Sequence, residues 1–259
     1  MQGRPADACV IDLDGTVYFA GREIPGAAEA VRALEAAGIP FVFATNTTRR
    51  PRSRIVERLR SFGIVTDEGR LHTAPVAAAG WLAEQGAERI SLLLPEVSWE
   101  EFAAFEITDE NPNFVLVGDL GAEWTFERLN TAFLSLRSGA GLVAIQRNRF
   151  WDDGTGLKLD AGPFVAALEY AAQQEAVLVG KPSTAFFSTA AGALGVPLSR
   201  VAVVGDGLEN DVRGGQRAGC LGVAVRTGSF REEDLEDLER PPDAVLDSIA
   251  DLPGWLLGG

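Results

Sequence analysis

Cys9-Val10-Ile11-Asp12-Leu13-Asp14-Gly15-Thr16 is the stretch on which the reading of this chain turns. A short apolar run that stops at a turn is the mark of a buried strand. Here the run ends on two carboxylates one residue apart, followed by a glycine that can take an unusual backbone angle. The plainest account is a strand closed by an acidic turn. The functional account sets both carboxylates where the strand ends, one able to attack as a nucleophile and the other to shuttle a proton.

Outward from this stretch, apolar runs alternate with helical stripes. Ala27, Ala30, Val31 and Leu34 form a stripe stopped by Gly38, and Ile39–Ala44 is a second buried strand. Ile55, Val56, Leu59 and Phe62 mark a helix after Pro51, ended by Gly63. In the last third, Phe186, Phe187, Ala190 and Leu194 make a stripe, while Val201–Val204 and Leu221–Val225 read as strands. This β-α-β-α rhythm predicts an α/β protein with a Rossmann-like parallel sheet and helices on both faces. The middle has its own alternation. Strands are expected at Ile90–Leu94, Phe114–Val117 and Leu142–Ile145, and helices at Val76–Glu84, Phe126–Leu136 and Pro163–Gln173. The pattern divides the chain into a core, 1–74 and 177–259, and an inserted smaller α/β domain, 75–176, with its own apolar core. The acidic stretch from Glu232 to Glu239 is expected to be a solvated surface helix.

Composition narrows the function. With 23 basic and 37 acidic residues the formal net charge is −14, which argues against nucleic acid and anionic membranes as partners. No apolar run approaches the ~20 residues of a membrane span, and the polar start of the chain lacks a signal-peptide core, so a cytoplasmic location is expected. Cys9 and Cys220, the two cysteines, both sit in or beside apolar segments and read as buried free thiols. An acidic protein can still bind a phosphate ester where a metal ion and a cation reverse the sign locally.

Three further polar clusters fall where strands end, the usual ligand position in open parallel sheets. Thr45-Asn46-Thr47-Thr48 is either a hydroxyl-rich turn or a set of neutral donors for phosphate oxygens. Gly180-Lys181-Pro182-Ser183 carries one of only two lysines in a chain with 21 arginines, a hint that a compact ammonium is wanted. Gly205-Asp206-Gly207-Leu208-Glu209-Asn210-Asp211 is either an acidic helix cap or part of an oxygen site for Mg2+ built with Asp12. Carboxylates converging without a cation would repel one another. A divalent ion together with Lys181 resolves this, and leaves a site able to accept a phosphoryl group.

In this order, the four clusters resemble the motifs of the haloacid dehalogenase-like hydrolases, a superfamily made up mostly of phosphatases. The α/β segment between Thr45 and Lys181 resembles the large cap of its NagD-type class. Leu157–Pro163, Val179–Ser183 and Arg226-Thr227-Gly228 resemble one branch of that class. The resemblance implies that Asp12 attacks phosphorus and that Asp14 acts as general acid and then base. It implies Mg2+ held by Asp12, the main-chain carbonyl of Asp14 and Asp206, with Asp211 orienting that shell from outside. Thr45, the Asn46 backbone and Lys181 would hold phosphoryl oxygens, and residues Thr16 to Glu23 would form a small flap beside the nucleophile. The substrate would be a small phosphorylated molecule, selected by a closing cap in which Trp151 and Asp160 are the expected specificity residues. A homodimer through the caps is a further implication. The chain departs from the pattern at Gly207, where relatives often carry a carboxylate or amide.

Three other readings use the same clusters. A receiver module would keep its phosphoryl group, but is about half this length and needs neither Asp14 nor an insertion. A catalytically retired binding protein would have no need of Asp12, Asp14, Lys181 and Asp206 together. A phosphomutase, a third reading, more often carries a smaller helical cap near the first motif. His72, the only histidine, is expected to be structural.

Overall fold

The computed structural model describes residues 4–152, 156–236 and 240–258, with no side-chain description for 151 and 152. The chain begins β1 (Ala8–Asp12), β2 (Tyr18–Phe19), β3 (Arg22–Glu23), α1 (Ala27–Ala36), β4 (Phe41–Thr45), α2 (Arg52–Ser61) and β5 (Leu71–Thr73). It continues α3 (Ala74–Glu84), β6 (Arg89–Leu93), β7 (Glu106–Ile107), β8 (Phe114–Val117), α4 (Phe126–Arg137) and β9 (Gly141–Ala144). Next come β10 (Phe150–Asp152), β11 (Leu157–Leu159), α5 (Ala161–Ala172) and β12 (Val177–Leu178). The last part runs α6 (Thr184–Gly192), β13 (Val201–Gly205), α7 (Gly214–Arg217), β14 (Leu221–Val225), β15 (Ala244–Leu246) and α8 (Leu252–Leu257).

Two compact units result. The first comprises Met1–Thr45, Arg52–His72 and Lys181–Gly259, and the second Asn46–Pro51 with Thr73–Gly180. The first holds a sheet in the order β15-β14-β13-β1-β4-β5. β1 lies in parallel between β13 (Ile11 opposite Val204) and β4 (Asp12 opposite Ala44). Every residue of β1, β4 and β13 is buried, which is why these strands read as unbroken apolar runs rather than alternating ones. Chain order reverses at β1, since β4 lies on one side and β13 on the other. In such sheets a crevice opens at the carboxyl ends of the strands at that reversal.

Helix ends follow the glycines. After α1, Gly38 takes φ 65°, and the N–H of Ile39 returns to the Leu34 carbonyl at 3.0 Å. After α2, Gly63 (φ 81°) does the same, with Ile64 N–H on Leu59 at 3.0 Å. Both are left-handed terminations that a side chain would disfavour. The helices then pack Leu34, Ile55 and Leu59 against Cys9, Ile11 and Phe43 of the sheet. Cys9 and Cys220 are free and buried, and burial pushes their thiols up to about 12 and about 11.

The second unit has a parallel sheet of its own, β12-β9-β8-β6-β7. Val115, Val117 and Leu142 from the sheet meet Leu136, Val165 and Leu168 from α4 and α5 in a separate core. Its limits differ from those expected, falling at 72/73 and 180/181 and including residues 46–51. The reason is anchoring. Arg49 pairs with the buried Asp119 carboxylate at 2.5 Å, and Ser98 Oγ donates to the Thr48 carbonyl. The acidic stretch after Arg231 also departs from expectation, forming only a 3-10 turn at Glu232–Leu235 before residues 237–239, which lie outside the described set. No helix among the described residues is long and apolar enough to cross a membrane.

His72, in the middle of β5, meets α6, its ring edge-on to Phe186 at 4.7 Å and its Nε2 3.1 Å from Thr189 Oγ1. Burial lowers its pKa from 6.5 to about 4. The unfolded chain therefore takes up the proton first, and stability present above pH 6.5 is lost as pH falls toward 4. The loss amounts to roughly 3 kcal/mol at most. Denaturant unfolding from pH 7 to 4 should show that His72→Gln removes this part of the pH dependence. Parallel curves for the two proteins would show that His72 does not titrate in this way.

Candidate active site

Three strand ends meet at the crevice. Asp12 is the last residue of β1, Thr45 the last of β4, and Asp206 follows β13 directly. Lys181 opens the last stretch of the first unit, and Asp211 lies in a wide helical turn, Leu208–Arg213. In that turn the N–H groups of Asp211 and Val212 both reach back to the Gly207 carbonyl, at 2.8 and 3.3 Å. Widened turns of this kind recur at functional sites.

The side chains converge out of water. Asp12, Lys181, Asp206 and Asp211 are only 6, 4, 5 and 3% exposed. The Lys181 ammonium donates to Asp12 Oδ1 and, at 2.7 Å, to Asp211 Oδ1. Burial lifts the Asp12 carboxyl well above the usual carboxylate range, and the charges of Asp211 and Asp206 lift it further against the pull of Lys181. Asp211 is raised by burial as well. Burial pulls the Lys181 ammonium down, but Asp12 and Asp211 outweigh it and hold it above its ordinary value.

Asp206 is seated by contacts from two loops. Thr16 Oγ1 stands 3.4 Å from its Oδ1 and accepts its backbone N–H at 3.1 Å. Ser229 donates to its Oδ2 through both N–H (2.6 Å) and Oγ (2.8 Å). The seat leaves no room for side chains. A Cβ at Gly15 or at Gly228 would lie 2.2 Å from Asp206 Oδ2, and both residues have positive φ. Gly207, the departure from the family pattern, has a similar cause. Its N–H donates to Asp211 Oδ2 at 3.2 Å, and a Cβ there would come within 2.8 Å of that oxygen.

These residues fit a divalent cation. Asp12, Asp206 and Asp211 each bring a carboxylate oxygen within 4.8 Å of the others. Three carboxylates against one ammonium leave a local charge of −2. Asp12 Oδ2 is buried without a hydrogen-bond partner, a costly state unless a ligand completes it. An all-oxygen donor set of this charge suits a hard ion such as Mg2+. Asp211, which the family resemblance set outside the metal shell, thus stands in the same cluster as Asp12 and Asp206.

The remaining expected residues are spread more widely. Asp14 is exposed, two residues beyond Asp12, with the Tyr18 hydroxyl 3.4 Å from its Oδ2. Asn46 follows Thr45 in the chain but belongs to the second unit. The backbone of Trp151 lies in β10, and its side chain is outside the described residues. Asp160 is turned inward: 4% exposed, it accepts from Gln146 Nε2 and from Ala161 N–H, both at 2.7 Å. Burial raises its pKa, and nearby Asp119 adds to the rise. Its role is that of an N-cap. The expected helix start at Pro163 was two residues late, and an aspartate directly before a helix caps it. Ser229 had no signal of its own in the sequence beyond following Arg226-Thr227-Gly228.

Comparison with known proteins agrees with this geometry. Residues 9–108 match the family described as haloacid dehalogenase-like hydrolase, and residues 178–252 the HAD-hydrolase-like family. The chain is 36% identical over 246 residues to the haloacid dehalogenase-like hydrolase domain-containing protein 2 of Homo sapiens, covering 95% of this chain and 94% of that one. It is 34% identical over 254 residues to the phospholysine phosphohistidine inorganic pyrophosphate phosphatase of Homo sapiens, covering 96% and 93%. Among solved structures it is similar to the 4-nitrophenylphosphatase of Thermotoga maritima, with TM-score 0.89 and 31% identity over 96% of this chain and 97% of that one. NagD of E. coli K-12, at TM-score 0.88 and 24% identity over 95% and 98%, shares the fold.

Removing the hydroxyl that steadies Asp206 tests the cation assignment. Ser229→Ala should weaken Mg2+ binding, measured by calorimetry without substrate, by about 10-fold or more. Unchanged affinity would mean that Asp206 does not hold the ion.

Proposed function

The chain belongs to the haloacid dehalogenase-like hydrolases and is a phosphoric monoester hydrolase; from this premise we propose that it is a Mg2+-dependent phosphatase acting through an aspartyl-phosphate on Asp12. The observation that carries this reading is the buried cluster of Asp12, Lys181, Asp206 and Asp211, with Asp12 Oδ2 unpartnered at its centre. A carboxylate held by a lysine on one oxygen and bare on the other is placed to act as a nucleophile.

In this mechanism Asp12 and Asp206 would supply side-chain oxygens for Mg2+, joined by the main-chain carbonyl of Asp14, with Asp211 orienting them from the same cluster. The ion, when bound, screens the cluster's negative charge and polarises a phosphoryl oxygen. Lys181 keeps Asp12 in one rotamer and, with Thr45 and the backbone of Asn46, takes up charge on the phosphoryl oxygens in the transition state. Asp14 gives a proton to the departing oxygen as the Asp12–phosphorus bond forms. It then takes a proton from the water that breaks this bond and releases phosphate. Its exposure suits exchange with both groups, whereas Asp12 is shielded from bulk water.

The first unit's residues address only the phosphoryl group, so choice among small phosphorylated substrates is assigned to the second unit. Within it, Asp160 serves by fixing Gln146 and Asn148 rather than by touching substrate. Asn148 Nδ2 donates to Gln146 Oε1 at 2.5 Å, and Gln146 donates in turn to Asp160. The second unit also supports a homodimer. Phe150, Leu157 and Leu159 are 54, 67 and 62% exposed, and the β10–β11 register sets them on one face. A second copy would cover that face symmetrically. The free, buried thiols suit the reducing cytoplasm.

Hydrolysis of p-nitrophenyl phosphate should require Mg2+ and fall by at least about a thousandfold in Asp12→Asn, as expected for loss of a nucleophile. Stable labelling of Asp12 without release would instead favour a receiver-like module, and silence with every phosphate compound a retired enzyme. Light scattering should give a dimer mass for the wild type and a monomer for Leu159→Glu; a monomeric wild type would remove the dimer.

A further inference from the structure

The flap beside Asp12 contains a tyrosine whose surroundings are unusually well defined. Tyr18 is 2% exposed in a two-stranded ribbon otherwise open to solvent, with Phe19 56% exposed beside it. Its backbone and that of Val17 are tied to the nucleophile loop at three points. Gly15 N–H donates to the Tyr18 carbonyl at 2.7 Å, and the N–H groups of Val17 and Tyr18 return to the Leu13 carbonyl at 2.9 and 3.1 Å. These bonds set the distance between Tyr18 and Asp14 whatever the rest of the flap does.

The ring is fixed from α2. Phe62 packs against it at 5.9 Å between centroids, tilted by 41°, and the Arg58 guanidinium stands over its face at 5.2 Å. Most arginines of this acidic chain pair with carboxylates, but no such pair is formed by Arg58 among the described residues. Its charge is set against an aromatic face, where a cation is attracted by the ring quadrupole. A ring clamped in this way has little freedom in χ1 and χ2, so its hydroxyl sits at one point. That point is 3.4 Å from Asp14 Oδ2. The distance is long for such a bond, as catalytic contacts often are before substrate binds.

We propose that Tyr18, clamped by Arg58 and Phe62, is the positioning residue for the general acid Asp14. The inference rests on the phosphatase reading above. Tyr18 donates its hydroxyl hydrogen to Oδ2, and Oδ1 carries the transferable proton. As the bond from phosphorus to the departing oxygen breaks and the bond to Asp12 forms, the proton on Oδ1 passes to the departing oxygen. The electron pair left on the carboxylate is steadied by the Tyr18 hydrogen bond. In the second half, Oδ1 takes a proton from the water that displaces Asp12 from phosphorus. Without the hydroxyl, the Asp14 carboxyl loses this hold on its orientation, and proton delivery to the departing oxygen becomes less frequent.

A residue that positions an acid matters in proportion to how much the departing group needs a proton. Nitrophenolate leaves readily unprotonated, phenolate less so, and the alkoxide of glycerol phosphate hardly at all. The measurement is kcat/KM, which reports steps up to formation of the phosphorylated enzyme, for p-nitrophenyl phosphate, phenyl phosphate and glycerol 2-phosphate with saturating Mg2+. In Tyr18→Phe, which keeps the ring and its packing, the loss should be smallest for p-nitrophenyl phosphate and largest for glycerol phosphate. The ratio between those two substrates should change by at least about tenfold, the scale of a general-acid contribution. Arg58→Ala, which keeps the hydroxyl but frees the ring, should change the same ratio in the same direction by less. An equal loss on all three substrates, or none on any, would show Tyr18 to be a packing residue and overturn the proposal. A wild type inactive on all three would overturn the phosphatase reading itself, an outcome separate from either.

Discussion

A lysine ammonium buried between two carboxylates is the constraint around which the first unit is arranged. Lys181 touches Asp12 and Asp211 while all three are almost fully withdrawn from water. Removing charges from water is expensive, and an interior ion pair recovers the cost only with good geometry and further hydrogen bonds. The site meets that demand for the ammonium, but not for the carboxylates. They outnumber it, they repel one another, and Asp12 keeps one buried oxygen without a partner. Such an imbalance is what the proposed divalent cation and phosphoryl group would relieve.

The backbone around the cluster follows from the same demand. Asp206 is pinned by Thr16 and Ser229 and flanked by Gly15 and Gly228, neither of which could carry a side chain without meeting its carboxylate. Asp211 is brought back by a widened helical turn onto the N–H of Gly207, where again only glycine leaves space. Three glycines thus surround two carboxylates. Their task is to admit charged oxygens at close range, and only secondarily to bend the chain. The exposed Asp14 stands apart from this crowding, which separates the dry surroundings of Asp12, the proposed nucleophile, from the wetter ones of Asp14, the proposed proton carrier.

The two units divide the work unequally. The first carries every group assigned to the phosphoryl chemistry except the Asn46 backbone, which follows Thr45 directly in the chain. The second is a complete parallel-sheet domain with its own core and polar clusters, Arg49 with Asp119 and Gln146 with Asn148 and Asp160. That residues 46–51 are held by the second unit while Thr45 ends a strand of the first means that one peptide bond joins Thr45 to the domain to which substrate choice is assigned above.

Much of this was legible in the sequence because it depends on local pattern. Buried parallel strands must be continuous apolar runs, and the helix-ending glycines Gly38 and Gly63 stand where left-handed turns require them. The polar clusters at Asp12, Thr45 and Asp206 stand where such strands end, so their convergence followed from the topology, whereas Lys181 follows a strand of the second unit's sheet and its arrival beside them did not. What pattern could not decide was which oxygen meets which hydrogen. Asp160 was read as facing substrate, yet as the N-cap of α5 it is spent on Ala161 and Gln146. Asp211 was expected outside the metal shell, and a widened turn sets its carboxylate in one cluster with Asp12 and Asp206. Ser229 and Tyr18 acquire their partners, Asp206 and Asp14, only when distant or turning segments fold together. The sequence by itself determined the fold class, the order of the strands' polar ends and the chemistry they can perform, because those depend on residue type and period. Only the tertiary structure decided how the charges pair, because burial and hydrogen bonding depend on distances of a few ångströms that no spacing along the chain encodes.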